Sequence, residues 1–233
     1  RRGLSPRLCS MPTGHECAGD NTRPPRHDRR MTDLPILLLA AGQSRRMRGR
    51  DKLMEQVDGE PLLRRMARRA CAAGIGPVIV ALPPAPHPRH AALHGLPVVP
   101  VEVPDAATGL SASLKRALAA VPETAEAVMI LLADLPDILT SDIKYVAQNI
   151  DINKQLLIWR GATEDGRPGH PVVLARALFP ELAALSGDAG AQAVIRRHAD
   201  RVTLVPLPGH HALRDLDTPE DWAAWRADRG RDT

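Results

Sequence analysis

The chain has 233 residues, a hydrophobic fraction of 44% and a formal net charge of +4. This length favours one large domain over two small ones and is sufficient to bury a sizeable core. Only five residues are Phe, Trp or Tyr, which argues against a protein that stacks single-stranded nucleic acid on aromatic rings. We therefore expect a globular protein that binds no nucleic acid.

The positive charge is concentrated at the N-terminus. Residues 1–30 hold seven Arg and three acidic residues, whereas the rest of the chain holds 24 basic and 24 acidic residues. This segment is rich in Arg, Pro and small polar residues and has no apolar periodicity, so we predict a disordered basic tail. Met31 is then a candidate natural start. We predict one domain over residues 31–228 and a C-terminal tail over 229–233.

Membrane and redox signals are absent from the sequence. No apolar run reaches the roughly 18 residues that a membrane span needs, and no apolar segment near the N-terminus precedes a cleavage site. The three cysteines, Cys9, Cys17 and Cys71, form no C-x-x-C pair, which supports neither a zinc site nor a disulfide scaffold. We expect no membrane association and a reduced, cytoplasmic setting.

Strand patterns alternate with helix patterns after residue 34. In chain order we predict a strand over 36–40, a helix between 61 and 74, strands over 78–82 and 98–101, a helix over 111–120, a strand over 127–132, a helix over 140–149, strands over 156–159 and 172–174, helices over 176–185 and 189–198, a strand over 202–205 and a last helix from 218. This alternation predicts an α/β, Rossmann-like three-layer sandwich with a mostly parallel sheet. Ligands of such sheets bind beyond the carboxyl ends of the strands.

Histidines and arginines outside the main motifs are interpreted as solvent-facing. Residues 83–95 are predicted to be a Pro- and His-rich loop, with His87, His90 and His94 solvated rather than bound to a metal. His210 and His211 are interpreted in the same way. The four arginines of the first predicted helix should form its solvent-exposed face, opposite an apolar stripe that includes Cys71.

The segment after the first predicted strand is the most informative part of the sequence. It reads L-A-A-G-Q-S-R-R-M-R-G-R-D-K from Leu39 to Lys52. Small residues and glycine let the backbone approach a ligand closely and direct its N–H groups at phosphate. The cations that follow would neutralise a departing pyrophosphate. The spacing fits neither a P-loop nor a dinucleotide fingerprint, and Arg45, Arg48 and Arg50 are each interpreted as solvated.

Two acidic motifs are candidates for a divalent metal site. Asp134 follows a predicted buried strand in L-A-D-L-P, and Asp217 precedes the last helix in D-L-D-T-P. Mg²⁺ takes one or two carboxylates together with substrate phosphates and water. An Asp after a strand is often only a turn residue, and Thr218 and Pro219 alone explain a helix start. The metal interpretation therefore depends more on Asp134 than on Asp217.

Three shorter segments have both a structural and a functional interpretation. The run G-L-S-A-S-L from Gly109 predicts a glycine turn into a helix N-terminus, which suits a polar ligand but also ordinary capping by Ser111. His170 stands in G-H-P, where it is either a structural histidine or a hydrogen-bonding group for a phosphate. Asp188 in G-D-A-G-A is explained by capping of the next helix.

Together, L-A-A-G-x-S-x-R-M, D-K-L, A-D-x-P and D-x-D-T-P resemble the motifs of the molybdenum cofactor nucleotidyltransferases. The resemblance covers residues 34–228 and extends to the wider superfamily of sugar-nucleotide and isoprenoid-precursor cytidylyltransferases. It implies a nucleotide-diphospho-sugar transferase-like fold and Mg²⁺-dependent transfer of a nucleoside monophosphate from an NTP to a phosphorylated acceptor. Many relatives have Gly where this chain has Arg48.

The resemblance also implies the site residues. These are Lys52, Arg46 and Asp134 for catalysis; Ala40, Ala41, Gly42, Ser44, Arg46, Lys52, Gly109, Ser111 and Ser113 for the nucleotide; Asp134 and Asp217 for the metal; and His170 and Asp188 for the acceptor.

The resemblance favours the cytidylyl branch, that of the molybdenum cofactor cytidylyltransferases. This branch tends to have A-A-G where the guanylyl branch has A-G-G, and the chain has Ala40-Ala41-Gly42. The G-L-S-x-S-L and G-H-P segments resemble the same branch. The implied substrates are CTP and the molybdopterin form of molybdenum cofactor, and the implied product is its cytosine dinucleotide. The implied recipient and contact partner is a molybdenum hydroxylase of the xanthine dehydrogenase type.

Three alternatives remain open at this point. The same chemistry could use GTP or another phosphorylated acceptor, such as a sugar phosphate. A carrier could bind molybdenum cofactor without nucleotidyl transfer, but such a carrier needs neither Lys52 nor Asp134. An NAD(P)-dependent oxidoreductase could use a similar sheet, but the glycine fingerprint is missing.

Overall fold

The computed structural model describes residues 33–151, 155–187 and 190–229. Its strands are β1 Ile36–Leu39, β2 Gln56–Val57, β3 Glu60–Pro61, β4 Val78–Leu82, β5 Val98–Glu102, β6 Ala127–Leu132, β7 Ile158–Ala162, β8 Pro168–Ala175 and β9 Val202–Pro206. Its α-helices are α1 Leu62–Ala73, α2 Pro88–Ala92, α3 Leu110–Ala119, α4 Thr140–Gln148, α5 Phe179–Ala183, α6 Gln192–Arg197 and α7 Pro219–Arg229. No helix in these ranges is long and apolar enough to cross a membrane. The predicted tail over 1–30, the candidate start Met31 and residues 230–233 lie outside them.

Seven strands form one sheet in the order β5-β4-β1-β6-β8-β7-β9. β1 pairs in parallel with both β4 and β6, so Ile36 lies opposite Val78 on one side and Met129 on the other. β8 is antiparallel to β6 and β7, whereas β7 and β9 are parallel. The predicted α/β fold with a mostly parallel sheet is therefore confirmed. The single reversal arises because β7 and β8 are joined by a short turn rather than by a crossover helix.

Helices cover both faces of the sheet, as the continuous apolar run of β1 requires. All four β1 residues are buried, with Ile36 and Leu38 in the core beneath α1, α4 and α7. Leu37 and Leu39 belong to the opposite core, beneath α3, α5 and α6. Successive strand residues point to opposite faces, so a strand buried on both sides needs an unbroken apolar sequence. This three-layer arrangement brings the carboxyl ends of β1 and β6 to one edge.

The prediction of a loop over residues 83–95 was wrong in part. The segment contains α2, which His87 caps by accepting a hydrogen bond from the backbone N–H of Arg89 at 3.3 Å. His90 is half-buried, and its Nε2 lies 2.8 Å from a backbone carbonyl oxygen. Only His94 of the three histidines is exposed. The pattern was missed because α2 is a single short turn without an apolar period.

The arginine face of α1 also differs from the prediction, because only Arg68 of the four arginines is exposed. Arg69 donates to the carbonyl oxygens of Pro136 at 2.7 Å and Ile138 at 2.6 Å. Burial lowers the pKa of Arg69 to about 10. Its side chain thus braces the turn that follows β6. Cys71, expected on the apolar stripe, is only half-buried at the edge of the core.

Candidate active site

An open cleft of about 440 Å³ lies at the edge where β1 and β6 end. The structure brings most of the predicted site residues together around it: Ala40, Ala41, Gly42, Ser44, Arg46, Lys52, Gly109, Ser113, Asp134 and Asp217. Ser111 and His170 do not line this cleft. Asp188 lies outside the described residues. The cleft is therefore the candidate site, and the outlying residues need a separate account.

The loop after β1 presents free backbone donors to the cleft. No described residue accepts a hydrogen bond from the N–H groups of Ala41, Gly42 or Gln43. A Cβ placed on Gly42 would meet no atom within 4 Å, so packing within the protein does not require glycine there. Gly42 lines the cleft, so its open side is available to a ligand. This combination suits a ligand that accepts hydrogen bonds and comes close to the backbone.

Two residues of this loop have left-handed backbone conformations that favour glycine. Ser44 has φ 51° and Arg48 has φ 52°, and they flank a short 3₁₀ turn over Arg45–Met47. Arg48 therefore adopts a conformation for which Gly is preferred. Its exposed guanidinium pairs with Glu220 at 2.5 Å. The three arginines interpreted as solvated, Arg45, Arg48 and Arg50, are all exposed.

A buried guanidinium, which the sequence reading missed, lies beneath the loop. Arg89 of α2 is 2% exposed, and it donates to both carboxylate oxygens of Asp51, at 2.8 and 2.6 Å. It also donates to the carbonyl oxygens of Ala40 at 2.6 Å and Gly42 at 2.8 Å, and to Ser44 Oγ at 3.2 Å. A single Arg in a Pro-rich segment carried no signal of this contact. Only the fold places α2 under the loop.

The hydroxyl of Ser44 is committed to this network. It donates to Asp51 Oδ1 at 3.3 Å and accepts from the backbone N–H of Lys52 at 3.2 Å. A hydroxyl has one proton to donate, so in this arrangement Ser44 has none left for a phosphate. Ser44 therefore organises the loop that carries Lys52, whereas the resemblance implied a nucleotide contact.

Lys52 lies between Asp134 and Asp217, the two aspartates predicted to bind the metal. Its Nζ is 2.5 Å from Asp134 Oδ2 and 2.6 Å from Asp217 Oδ1. Burial lowers the pKa of Lys52, but the two carboxylates outweigh this effect and raise it above the usual value. Arg46 contacts the other oxygen of Asp217, and its side chain is 68% exposed. The site thus brings two carboxylates and two cations to the mouth of the loop.

A third carboxylate adjoins this cluster. Partial burial raises the pKa of Asp215, and the negative charges of Asp217 and Asp134 raise it further. Asp215 is the first acid of D-L-D-T-P, whose second acid alone was selected from the sequence. Its proximity follows from the turn that leads into α7, in which Asp221 accepts hydrogen bonds from the N–H groups of Asp217 and Thr218. The repeated acid in the motif was the available signal.

The two serines of the G-L-S-A-S-L run have different environments. Gly109, with φ 122°, is the N-cap of α3 and lines the cleft together with Leu110 and Ser113. Ser111 is 1% exposed, and its Oγ has no hydrogen-bond partner within the described residues. Ser113 is therefore placed to meet a ligand in the cleft. The geometry places Ser111 inside the core instead.

His170 lies near the acidic cluster but faces inward. Part of the residue reaches the surface, yet its Nδ1 is buried and has no partner within the described residues. Burial, with a smaller contribution from the positive charge of nearby Arg160, lowers the pKa of His170 to about 4. Arg160 donates from Nε to the carbonyl oxygen of Gly169 at 2.9 Å. At neutral pH the imidazole is therefore uncharged.

His211, interpreted as solvated, has a structural contact. Its Nδ1 lies 2.8 Å from Asp142 Oδ2, and Asp142 also accepts from the backbone N–H of Leu139 at 2.8 Å. This pair ties the segment before Asp215 to α4. His210 is exposed, as predicted.

Comparison with known proteins places the chain in a family. A family model described as the MobA-like NTP transferase domain matches residues 36–202. The chain belongs to this family. As a MobA-like NTP transferase domain protein it is a nucleotidyltransferase, so the predicted enzyme class is confirmed. No protein of curated function matches the sequence significantly.

Solved structures resemble this MobA-like protein over most of their length. Rv0371c from Mycobacterium tuberculosis H37Rv is 29% identical, with 83% of this chain and 98% of that chain covered and a TM-score of 0.70. A structure of Rv0371c in complex with manganese covers 83% of this chain and 97% of that one, at 29% identity and a TM-score of 0.66.

A more distant structure shares the fold alone. CMP:2-keto-3-deoxy-manno-octonic acid synthetase, solved with CTP, is 15% identical, with 86% of this chain and 100% of that chain covered and a TM-score of 0.65. This match confirms the predicted nucleotide-diphospho-sugar transferase-like fold.

Proposed function

We propose that the protein transfers CMP from CTP to the molybdopterin form of molybdenum cofactor, releasing pyrophosphate. The observation that carries the proposal is the position of Lys52 between Asp134 and Asp217, at the mouth of a loop with three unpaired N–H groups. A triphosphate needs donors for its oxygens and positive charge where pyrophosphate departs. The residues around the cleft supply both.

The acidic pair has the chemistry of a divalent metal site. Asp134 Oδ1 is buried and has no hydrogen-bond partner within the described ranges, which is costly unless a ligand takes that position. Asp217 converges on the same point, and two carboxylates with substrate phosphates are a usual Mg²⁺ environment. We propose Mg²⁺ held by Asp134 and Asp217, where it would neutralise charge on the triphosphate. The manganese in the Rv0371c structure supports this assignment.

The proposed reaction needs no general base. An acceptor phosphate with a second pKa of about 6 is already largely anionic at neutral pH. Its oxygen forms a bond to the α-phosphorus of CTP as the bond between the α-phosphorus and the bridging oxygen of pyrophosphate breaks. Lys52 and Arg46 would neutralise the leaving group, and the N–H groups of the loop would hold the triphosphate in line.

The preference for CTP depends on the resemblance of Ala40-Ala41-Gly42 to the cytidylyl branch. Ala41 is 2% exposed and lines the cleft, at the position where the guanylyl branch has glycine. His170 and the nearby Arg160 are proposed at the acceptor side, where Arg160 supplies the positive charge that the neutral imidazole lacks.

The experiment is pyrophosphate release by the purified protein under anaerobic conditions, with Mg²⁺, molybdenum cofactor and each NTP in turn. We expect release with CTP, little with GTP, and a shift toward GTP in Ala41→Gly. Release with GTP alone would keep the chemistry but move the protein to the guanylyl branch, and release only with a sugar phosphate would change the acceptor.

The carrier function is separated by the same assay. Tight binding of molybdenum cofactor without pyrophosphate release from any NTP would contradict the transferase proposal and favour a carrier. We propose the cytoplasm as the setting and a molybdenum hydroxylase as the recipient of the product. Delivery to such an apoenzyme is tested by its activation with the reaction mixture.

A further inference from the structure

Arg89 uses its whole guanidinium group inside the protein. The group has five N–H donors, and the structure gives it five hydrogen bonds, to Asp51, Ser44 and the carbonyl oxygens of Ala40 and Gly42. At 2% exposure it cannot reach a ligand in the cleft. Whatever Arg89 contributes to nucleotide binding must therefore act through the loop.

The two carbonyl contacts set the direction of the peptide groups between them. In a trans peptide, the C=O of one residue and the N–H of the next point in opposite directions. Because the carbonyls of Ala40 and Gly42 point to Arg89, the N–H groups of Ala41 and Gln43 point away from it. Ala41 and Gln43 line the cleft, and within the described chain no group accepts from their N–H.

The carboxylate of Asp51 completes the arrangement. Burial raises the pKa of Asp51, but its hydrogen bond and charge interaction with Arg89 prevail and hold that pKa below the usual value. Asp51 also accepts from the backbone N–H of Leu53 at 3.0 Å and is adjacent to Lys52. The ion pair between Arg89 and Asp51 thus fixes both ends of the loop. At one end it holds the peptide groups after β1, and at the other it holds the residue next to Lys52.

We propose that Arg89 is a positioning residue that holds the N–H groups of Ala41 and Gln43 toward the triphosphate of the bound nucleotide. A lysine at this position keeps the charge but cannot form the planar, bidentate pair with Asp51 and reach both carbonyls. The peptide groups of the loop would then no longer be held in one orientation, although every residue of the loop itself would be unchanged. The inference rests on the proposed placement of the nucleotide.

The test measures CTP binding in the presence of Mg²⁺ by isothermal titration calorimetry for wild type, Arg89→Lys and Arg89→Ala. Val146→Ala on α4 is the matched control, because Val146 is fully buried far along the chain from the loop and its truncation costs stability without touching the cleft. Unfolding midpoints are measured in parallel, and binding is compared well below them. We expect roughly 10²-fold weaker binding in both Arg89 variants, because two hydrogen bonds to a charged ligand, each worth about tenfold in affinity, would be lost.

Chemical rescue separates positioning from a purely structural role. Millimolar guanidinium should restore CTP affinity to Arg89→Ala at least in part, whereas ammonium should not, because only guanidinium reproduces the planar set of donors. Val146→Ala should bind CTP like wild type and show no response to guanidinium.

The outcomes distinguish this inference from the proposed function. If folded Arg89→Lys binds CTP within about twofold of wild type, or if Val146→Ala loses as much affinity as Arg89→Ala at equal stability, the positioning role is wrong. If wild type binds neither CTP nor any other NTP, the proposed function itself fails, and this inference fails with it.

Discussion

The neutral state of His170 makes the stability of the protein depend on pH in a defined direction. The folded-state pKa of about 4 is below the usual histidine pKa of 6.5, chiefly because the ring is buried. Between these pH values the unfolded chain binds a proton that the folded chain does not. The part of the free energy of unfolding that depends on a neutral His170 is therefore fully present above pH 6.5 and is lost as the pH falls toward 4.

The size of the effect follows from the two pKa values. Protonation of the unfolded state at pH 5, without protonation of the folded state, lowers the free energy of unfolding by about 2 kcal/mol relative to pH 7. His170→Gln removes the titrating group while keeping a polar side chain. The variant should lack this contribution, so the stability difference between wild type and variant should change by about 2 kcal/mol between pH 7 and pH 5.

Urea unfolding of both proteins at several pH values measures this difference directly. The comparison cancels the contributions of the other histidines, because these are common to the two chains. Parallel stability curves for wild type and His170→Gln would refute the reasoning, since they would mean that His170 titrates alike in the folded and unfolded states. A steeper loss in the variant would also contradict it.

Three further changes have predicted outcomes. Lys52→Met should abolish pyrophosphate release. It should also bind Mn²⁺ without nucleotide at least about tenfold more tightly than wild type, because the ammonium that competes for the two aspartates is gone. Electron paramagnetic resonance of free Mn²⁺ measures this affinity, and weaker binding would contradict the prediction. Arg48→Gly should raise the free energy of unfolding by about 0.5–1 kcal/mol, because it relieves a left-handed conformation at the loss of an exposed ion pair with Glu220; a less stable variant would show that the pair outweighs the strain. Gly169→Ala should cost about 1–3 kcal/mol or more, because its Cβ would lie 2.0 Å from the carbonyl oxygen of Ala212; an unchanged unfolding midpoint would show that the Ala212 segment gives way easily.

Most of the fold could be predicted because its signals are local. The apolar run of β1 and its termination in small residues indicate a doubly buried strand, and the sheet has it in a central position. The antiparallel β8 could not be predicted in the same way. Its direction depends on the short turn after Ala162 and on pairing with β6, which is distant in sequence. Strand periodicity is the same in both directions, so the pattern does not encode it.

The candidate site was predictable where a motif stands at the end of a strand. Lys52 and Asp134 are 82 positions apart, yet both follow predicted strands that end at one edge of the sheet. Arg89 was not predictable, because its role depends on tertiary contacts with carbonyl oxygens, which any sequence provides. The resemblance implied a nucleotide role for Ser111, but α3 buries this side chain.

The most direct test of the central claim is transfer of label from CTP carrying radioactive phosphorus at the α-position. Wild-type protein with Mg²⁺ and anaerobic molybdenum cofactor should move the label into the cofactor product and release unlabelled pyrophosphate, and Asp134→Asn should do neither. Label that stays in CTP, or appears only as free CMP, would contradict transfer to this acceptor.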